Sequence, residues 1–217
     1  MSSFSRSPRI LKAGLVLLDP ETTRVVRVIA LQYNPESLSH AYEIRGASEG
    51  NRSEPLRLLG PPTETLTLEA FLDASDQLQF PGQNPETTRT GIQGAISVLE
   101  MLIYPESTQL LANRALAQQG KLEILPMEKH LTLFVWGKDR VLPVRITQFS
   151  LNEEEFSPDL YPIRARISMT LRVLTVDDLG FDHHGGNLYL RYQQSKERAA
   201  SGVASANLGS LGSLHLE

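Results

Sequence analysis

Hydrophobic and polar positions alternate most strictly over residues 163–173. Ile163, Ala165, Ile167, Met169, Leu171 and Val173 fall on one side, and Arg164, Arg166, Ser168, Thr170 and Arg172 on the other. A period of two predicts a long β-strand with one apolar and one polar face. Residues 131–136 and 140–149 before it are rich in β-branched and aromatic types, and Gly137-Lys138-Asp139 between them suits a hairpin turn. The stretch 131–174 is therefore read as three successive antiparallel strands. An acidic link, 150–161, precedes the last, with Pro158 and Pro162 bracketing its end.

Earlier in the chain the same logic predicts a first hairpin. Residues 11–19 and 23–33 are apolar runs joined by Asp19-Pro20-Glu21, which is turn chemistry. The second run is apolar on both faces at Val25, Val26, Val28, Ile29, Ala30 and Leu31, so both faces are expected to be covered, one by the core and one by a neighbour. Asn34-Pro35-Glu36-Ser37 stops it, and residues 38–45 resume with alternation. His40 in that strand has no second ligand nearby and is read as structural. Residues 46–62 carry Gly, Ser, Asn, Glu and prolines with little apolar content, which reads as an exposed loop or protruding arm. Residues 63–73 form another half-buried strand, with Leu66, Leu68, Ala70 and Leu72 opposed to Thr65, Thr67, Glu69 and Phe71.

Residues 74–90 contain Phe80-Pro81-Gly82 and Asn84-Pro85-Glu86 and are read as turns. A helix is expected over about 91–118: Ile92, Ala95, Ile96, Leu99, Leu102 and Ile103 share one face, Pro105 interrupts, and Gly120 caps the end. After residue 176 a hinge-like loop (177–186), a short helix (187–200) and a Gly/Ser/Leu-rich tail follow. The predicted fold class is mainly β (α+β). Its organisation is a flexible N-terminal arm (1–10), a β domain (11–176) and a C-terminal helix with a flexible tail (177–217).

Composition narrows the function. The 217 residues include no cysteine, which removes disulfides, thiol catalysis and cysteine-ligated zinc. The apolar run at Leu15 to Leu18 is far shorter than a signal-peptide core, and no window approaches the roughly 18 apolar residues of a membrane span, so direct membrane insertion is not expected. A net charge of -4 argues against nucleic-acid binding.

Catalytic signatures are sparse. The chain has no GxGxxG, no GxxxxGK[ST] and no GxSxG. Glu153-Glu154-Glu155 with Asp159 offers carboxylates, but adjacent side chains in a strand link diverge and are normally solvated. Asp182-His183-His184 has ligand types side by side without a second cluster, so no metal site is assigned. No cofactor is expected and the chain is read as a non-enzyme. Arg164, Arg166 and Arg172 leave two readings open: an ordinary solvated face, or a face that lines a passage or meets an acidic partner.

Four segments, taken in order, carry a resemblance: Gln32-Tyr33-Asn34-Pro35-Glu36-Ser37-Leu38; residues 64–73; Phe134-Val135-Trp136-Gly137; and residues 162–171, beginning Pro162-Ile163-Arg164-Ala165. Over about residues 12–176 the chain resembles the contractile injection system tube-protein family, whose members show "FNPES", "tLslElfFD", "FxWG" and "G-x-PvRAxlxlxl" in that order. Asn34, Pro35, Glu36, Asp73, Trp136, Gly137, Pro162, Arg164 and Ala165 are the positions that match. Two departures stand out. No LysM-like module follows Val176, and the glycine before "PvRA" is replaced by Asp159-Leu160-Tyr161.

The resemblance implies a tail-tube-like antiparallel β-barrel or sandwich with a flanking helix. It also implies a role as baseplate hub or tube-initiator adaptor of a phage-tail-like particle: a ring, commonly hexameric, between the spike or hub and the inner tube. Its partners would be copies of itself, the inner tube protein, the spike/hub protein and other baseplate proteins, with cytoplasmic assembly into the particle. In that role Arg164, Arg166 and Arg172 would face a lumen or partner, and Glu49, Asn51, Arg52, Glu54 and Arg57 would lie on an inter-subunit arm. The alternatives are the inner tube protein itself or a tube-end terminator and, more distantly, a carbohydrate-processing or metal-dependent enzyme.

Overall fold

The structure, a computed structural model, describes residues 10–46, 58–118 and 129–204. In chain order its elements are β1 (Gly14–Leu18), β2 (Val25–Ala30), β3 (Leu38–Glu43), β4 (Thr63–Asp73), α1 (Ser75–Leu78), α2 (Pro85–Thr90), α3 (Gln93–Glu100), α4 (Ser107–Gln118), β5 (Leu131–Val135), β6 (Val141–Phe156), β7 (Pro162–Val173), α5 (Val176–Leu179) and α6 (His184–Ser201). All seven strands join one antiparallel sheet in the order β2-β1-β5-β6-β7-β4-β3. The fold is mainly β with flanking helices. Its sheet is not closed, so β2 and β3 remain as edges.

Alternation decides which face of the sheet is buried. Leu66, Leu68 and Ala70 on β4 pair in register with Leu171, Met169 and Ile167 on β7, and Leu171, Met169 and Ile167 in turn meet Ile146, Phe149 and Leu151 on β6. This stripe forms the core, closed from above by Leu99 of α3 and by Tyr189 and Tyr192 of α6. A second cluster joins Ala165 to Ala74, Ile92 and Ile96. The opposite face carries Arg164, Arg166, Ser168, Thr170 and Arg172 beside Asp73, Phe71, Glu69, Thr67 and Thr65. The expected meander of β5, β6 and β7 is present, and its two faces divide as the period of two requires.

Several expectations need correction. The acidic link is not a link: β6 runs through Glu153, Glu154 and Glu155 to Phe156, leaving only residues 157–161 as the turn. Cross-strand partners explain this, because Glu154 sits opposite Arg164, which also bonds Glu155, and opposite charges on paired strands favour the ladder. Residues 74–90 contain two short helices, α1 and α2, the second entered at Pro85, where a missing N–H costs nothing. The helix expected over 91–118 is interrupted around Pro105 as expected, which leaves α3 and α4. Only Ile92, Ile96 and Leu99 of the expected face are buried, whereas Ala95 and Ile103 are exposed and no residue of α4 is buried. The loop expected over 177–186 contains most of α5, started by a capping box in which Thr175 and Asp178 satisfy each other's end groups. α6 also starts three residues earlier than expected and runs for 18 residues. The strand over 38–45 ends at Glu43.

Strand β2 departs from expectation in its environment. Val25, Val26 and Val28 are 60%, 49% and 65% exposed, so among the described residues the edge strand is covered by neither a helix nor a second strand on its outer side. Gly91 fixes the entry to α3: its φ is +57°, and a Cβ there would meet the Pro162 carbonyl oxygen at 2.0 Å. That oxygen accepts the Ile92 N–H at 2.9 Å, which joins the helical layer to the start of β7.

Candidate functional site

Asp73, at the end of β4, joins the matched segments. The Gln32 side-chain amide bridges its backbone, donating to the Asp73 carbonyl at 2.7 Å and accepting its N–H at 2.9 Å. The Asp73 carboxylate accepts the Ser75 N–H at 2.7 Å and Arg164 Nε at 2.9 Å. Partial burial pushes this carboxyl up, but hydrogen bonds from Ser75 and the Arg164 guanidinium outweigh it and hold the group below the usual range. Asn34 does similar work nearby, accepting the Ala13 N–H at 2.9 Å and donating to the Leu11 carbonyl at 2.8 Å, so it ties the chain's entry to β1. Pro35 is buried and Glu36 exposed. At the other end of the sheet, Gly137 has φ +79° in the β5–β6 turn, the Trp136 N–H donates to the Arg140 carbonyl at 2.8 Å, and the indole leans on Phe134 at 5.9 Å between centroids.

On the polar face Arg166 is exposed and Arg164 and Arg172 are half-buried, and all three are paired. Arg164 also donates to Glu155 at 2.7 Å, and Arg172 reaches Asp178 at 2.7 Å. Arg166 lies 3.9 Å from Glu154 and 5.2 Å above the Phe71 ring, a cation–π contact. Such exposed pairs orient the side chains more than they stabilise the fold.

On the opposite face, a carboxylate interrupts the apolar stripe. Glu64 is 3% exposed and accepts from His40 Nδ1 (2.9 Å), Tyr42 (3.2 Å), Tyr192 (3.1 Å) and Lys196 (3.1 Å). Burial pushes Glu64 up, but the bonds from His40, Lys196 and Tyr192 prevail and its carboxyl lies below the usual range. The Tyr192 hydroxyl is pushed well up, by burial first and then by the adjacent Glu64 charge. Lys196 Nζ also lies 4.1 Å from the Tyr192 ring centroid. This knot fastens α6 across β3 and β4 and floors a cleft of about 620 Å³ edged by Arg140, Ser195 and Arg198. A second cleft of similar size lies where the segment after α3 faces β5 and β6.

Among the described residues no group of three or more His, Cys, Asp or Glu side chains is placed to hold a metal. His183 instead caps α6, its Nδ1 accepting the Gly185 N–H at 3.0 Å. No described helix is long and apolar enough to cross a membrane.

Comparison with known proteins decides the family. Residues 15–179 match the family described as contractile injection system tube protein. The chain belongs to that family. No curated protein matches the sequence. Among solved structures, a chain of the virion of a native gene transfer agent particle is similar at 9% identity and a TM-score of 0.26, over 74% of this chain and 95% of that one.

For a tube protein of a contractile injection system, assembly with itself and with other components is the working context. Most matched residues prove to be joints: Asn34, Asp73 and Arg164 tie strand ends, Pro162 and Ala165 seat α3, and Trp136 with Gly137 shapes a turn. Asp73 and Arg164 are brought together, while Arg166 and Arg172 hold separate partners. The arm residues Glu49, Asn51, Arg52, Glu54 and Arg57 lie outside the described residues. At the base of that arm, Gly46 and Leu58 form an antiparallel bridge. The sequence reading missed Glu64, although a signal was there: it shares the parity of Leu66, Leu68 and Ala70, and His40 shares that of Leu38.

Proposed function

We propose that this tube protein is the subunit of a ring that joins the spike or hub to the inner tube and nucleates tube assembly, a baseplate adaptor. The observation that carries the reading is the open sheet with two unlike edges. β2 presents Val25, Val26 and Val28 to solvent, and β3 lies at the far side of the sheet with Tyr42 exposed. An exposed apolar edge is a template for pairing with another chain, and a β2-to-β3 join between copies is heterologous, so a suitable rotation closes it into a ring. The polar face with Arg164, Arg166 and Arg172 then becomes the lumen lining, and the arm carrying Glu49, Asn51, Arg52, Glu54 and Arg57 reaches the neighbouring subunit. The ring is hexameric in this proposal, assembled in the cytoplasm, with the inner tube protein, the spike/hub and other baseplate proteins as its partners.

Negative-stain microscopy and mass measurement of the purified chain test this. Closed rings, lost when Val26 and Val28 are replaced by lysine without a change in the far-UV spectrum, are the expected result. A strictly monomeric protein that binds neither tube nor spike protein sinks the reading. A second reading, the inner tube subunit itself, is favoured by the unlike charge of the two ends of β6, because a tube subunit stacks on its own kind whereas an adaptor stops after one layer.

A further inference from the structure

Strand β6 separates two unlike ends. At its start lies the cleft floored by the Glu64 knot. Glu64 already engages His40 and Lys196, while Arg140 and Arg198, both exposed, make no ion pair among the described residues; Asp139 is the other charged group of the cleft. Tyr42 and Ala199 add apolar surface to the same cleft. The cleft therefore presents two uncommitted guanidinium groups beside an aromatic wall.

At the far end of β6 is the turn 157–161. Glu153 and Asp159 are exposed there without an ion pair among the described residues. The turn is held rigidly: the Ser157 N–H donates to the Tyr161 carbonyl at 2.8 Å, the Leu160 N–H to the Ser157 carbonyl at 2.9 Å, and the Tyr161 N–H to Ser157 Oγ at 3.1 Å. At its tip Leu160 has φ +63° and is 79% exposed, with Phe156 49% exposed at the strand end. A leucine in the left-handed region is strained by about 1–2 kcal/mol, and here its side chain gains no burial in return. Such strain on a preorganised, solvent-facing apolar knob points to a binding partner.

Arg140 immediately precedes β6 and Phe156 ends it, so the 16-residue strand spans at most about 50 Å between cleft and tip. One copy cannot fill its own cleft. We propose that the β6–β7 tip of one copy docks in the cleft of a second copy, with Glu153 and Asp159 meeting Arg140 and Arg198 and Leu160 lying against Tyr42 and Ala199, stacking copies head to tail along β6. This rests on the self-stacking reading of the tube protein, and it assigns that contact to two defined surfaces.

A charge swap tests it. The tip variant E153K/D159K and the cleft variant R140E/R198E each alter exposed side chains, and matching neutral variants, E153Q/D159N and R140Q/R198Q, guard against misfolding. Stacking is followed by sedimentation velocity and by stack length in micrographs at low and high salt. Each reversal is expected to weaken stacking at least about tenfold, and the neutral variants less. A chain carrying both reversals, or an equimolar mixture of the two variants, recovers stacking to within about threefold. Salt weakens the wild-type contact. Unchanged stacks in either reversal, or a combined variant as defective as its parents, overturns the proposal. Wild-type rings that never stack overturn it while leaving ring formation standing. Head-to-tail association that obeys the charge swap without any ring does the reverse.

Discussion

Replacing Glu64 by glutamine is the sharpest test of how this tube protein holds its C-terminal helix. Glu64 is 3% exposed on the apolar face, and its carboxylate satisfies side chains from β3 and α6. Removing one member of a buried charged network costs about 3–5 kcal/mol. Lys196, at 42% side-chain exposure, can rehydrate, which places the expected loss at the lower end, about 3 kcal/mol, or about 6–12 °C in Tm for a chain of this size. Tyr192→Phe removes one bond to the same carboxylate and should cost about 1.5 kcal/mol. The double variant should fall short of the sum by about 1 kcal/mol, because both deletions remove the same contact. The folded-state carboxyl titrates below its unfolded value, so its contribution is complete above about pH 4.3 and is lost as pH falls through the lower folded value. Urea unfolding of dilute protein at pH 7, 5, 4 and 3 should therefore show a gap between wild type and E64Q that is constant down to about pH 5 and narrows below it. A gap under about 0.5 kcal/mol at pH 7, or one unchanged at pH 3, refutes the reasoning.

Gly91→Ala should destabilise by about 2–4 kcal/mol or prevent folding, because φ is +57° and the new Cβ would lie 2.0 Å from the Pro162 carbonyl oxygen. Gly94→Ala, in open space on α3, should be neutral or stabilising by up to about 1 kcal/mol in the same thermal melt. Gln32→Ala removes both bonds to the Asp73 backbone and should cost about 1–3 kcal/mol in urea unfolding, whereas Gln32→Glu should recover only part, since a carboxylate accepts but cannot donate. Arg164→Glu should lower stability by more than Arg166→Glu, since Arg164 bonds two carboxylates and Arg166 approaches Glu154 only to 3.9 Å; equal losses would contradict that ranking.

Period-two patterning made β4 and β7 readable residue by residue, because each strand is buried on one face only, and a one-residue slip would expose its whole apolar row. It failed where the environment, and not local preference, sets the outcome. Glu153, Glu154 and Glu155 read as a solvated link because three carboxylates in a row disfavour a strand; Arg164 and Arg166, on the adjacent strand of the same hairpin, supply opposite charge to Glu154 and Glu155. α2 was hidden behind Pro85, since a proline starts turns and helices equally well, and α1 is a single four-residue turn too short to show a periodicity. β2 was expected to be covered on both faces, and among the described residues its valines are bare, which a pattern of apolar positions along one strand cannot foretell. The matched segments show the same division. Asn34, Asp73, Pro162 and Arg164 close strand ends and seat a helix on the sheet, which constrains every chain built this way whatever it touches. A motif of that kind identifies the family through its joints. The surfaces proposed for assembly, the β2 edge, the β6–β7 tip and the cleft beside Glu64, lie mostly outside those joints, and for that reason the sequence announced the particle before it announced the contacts.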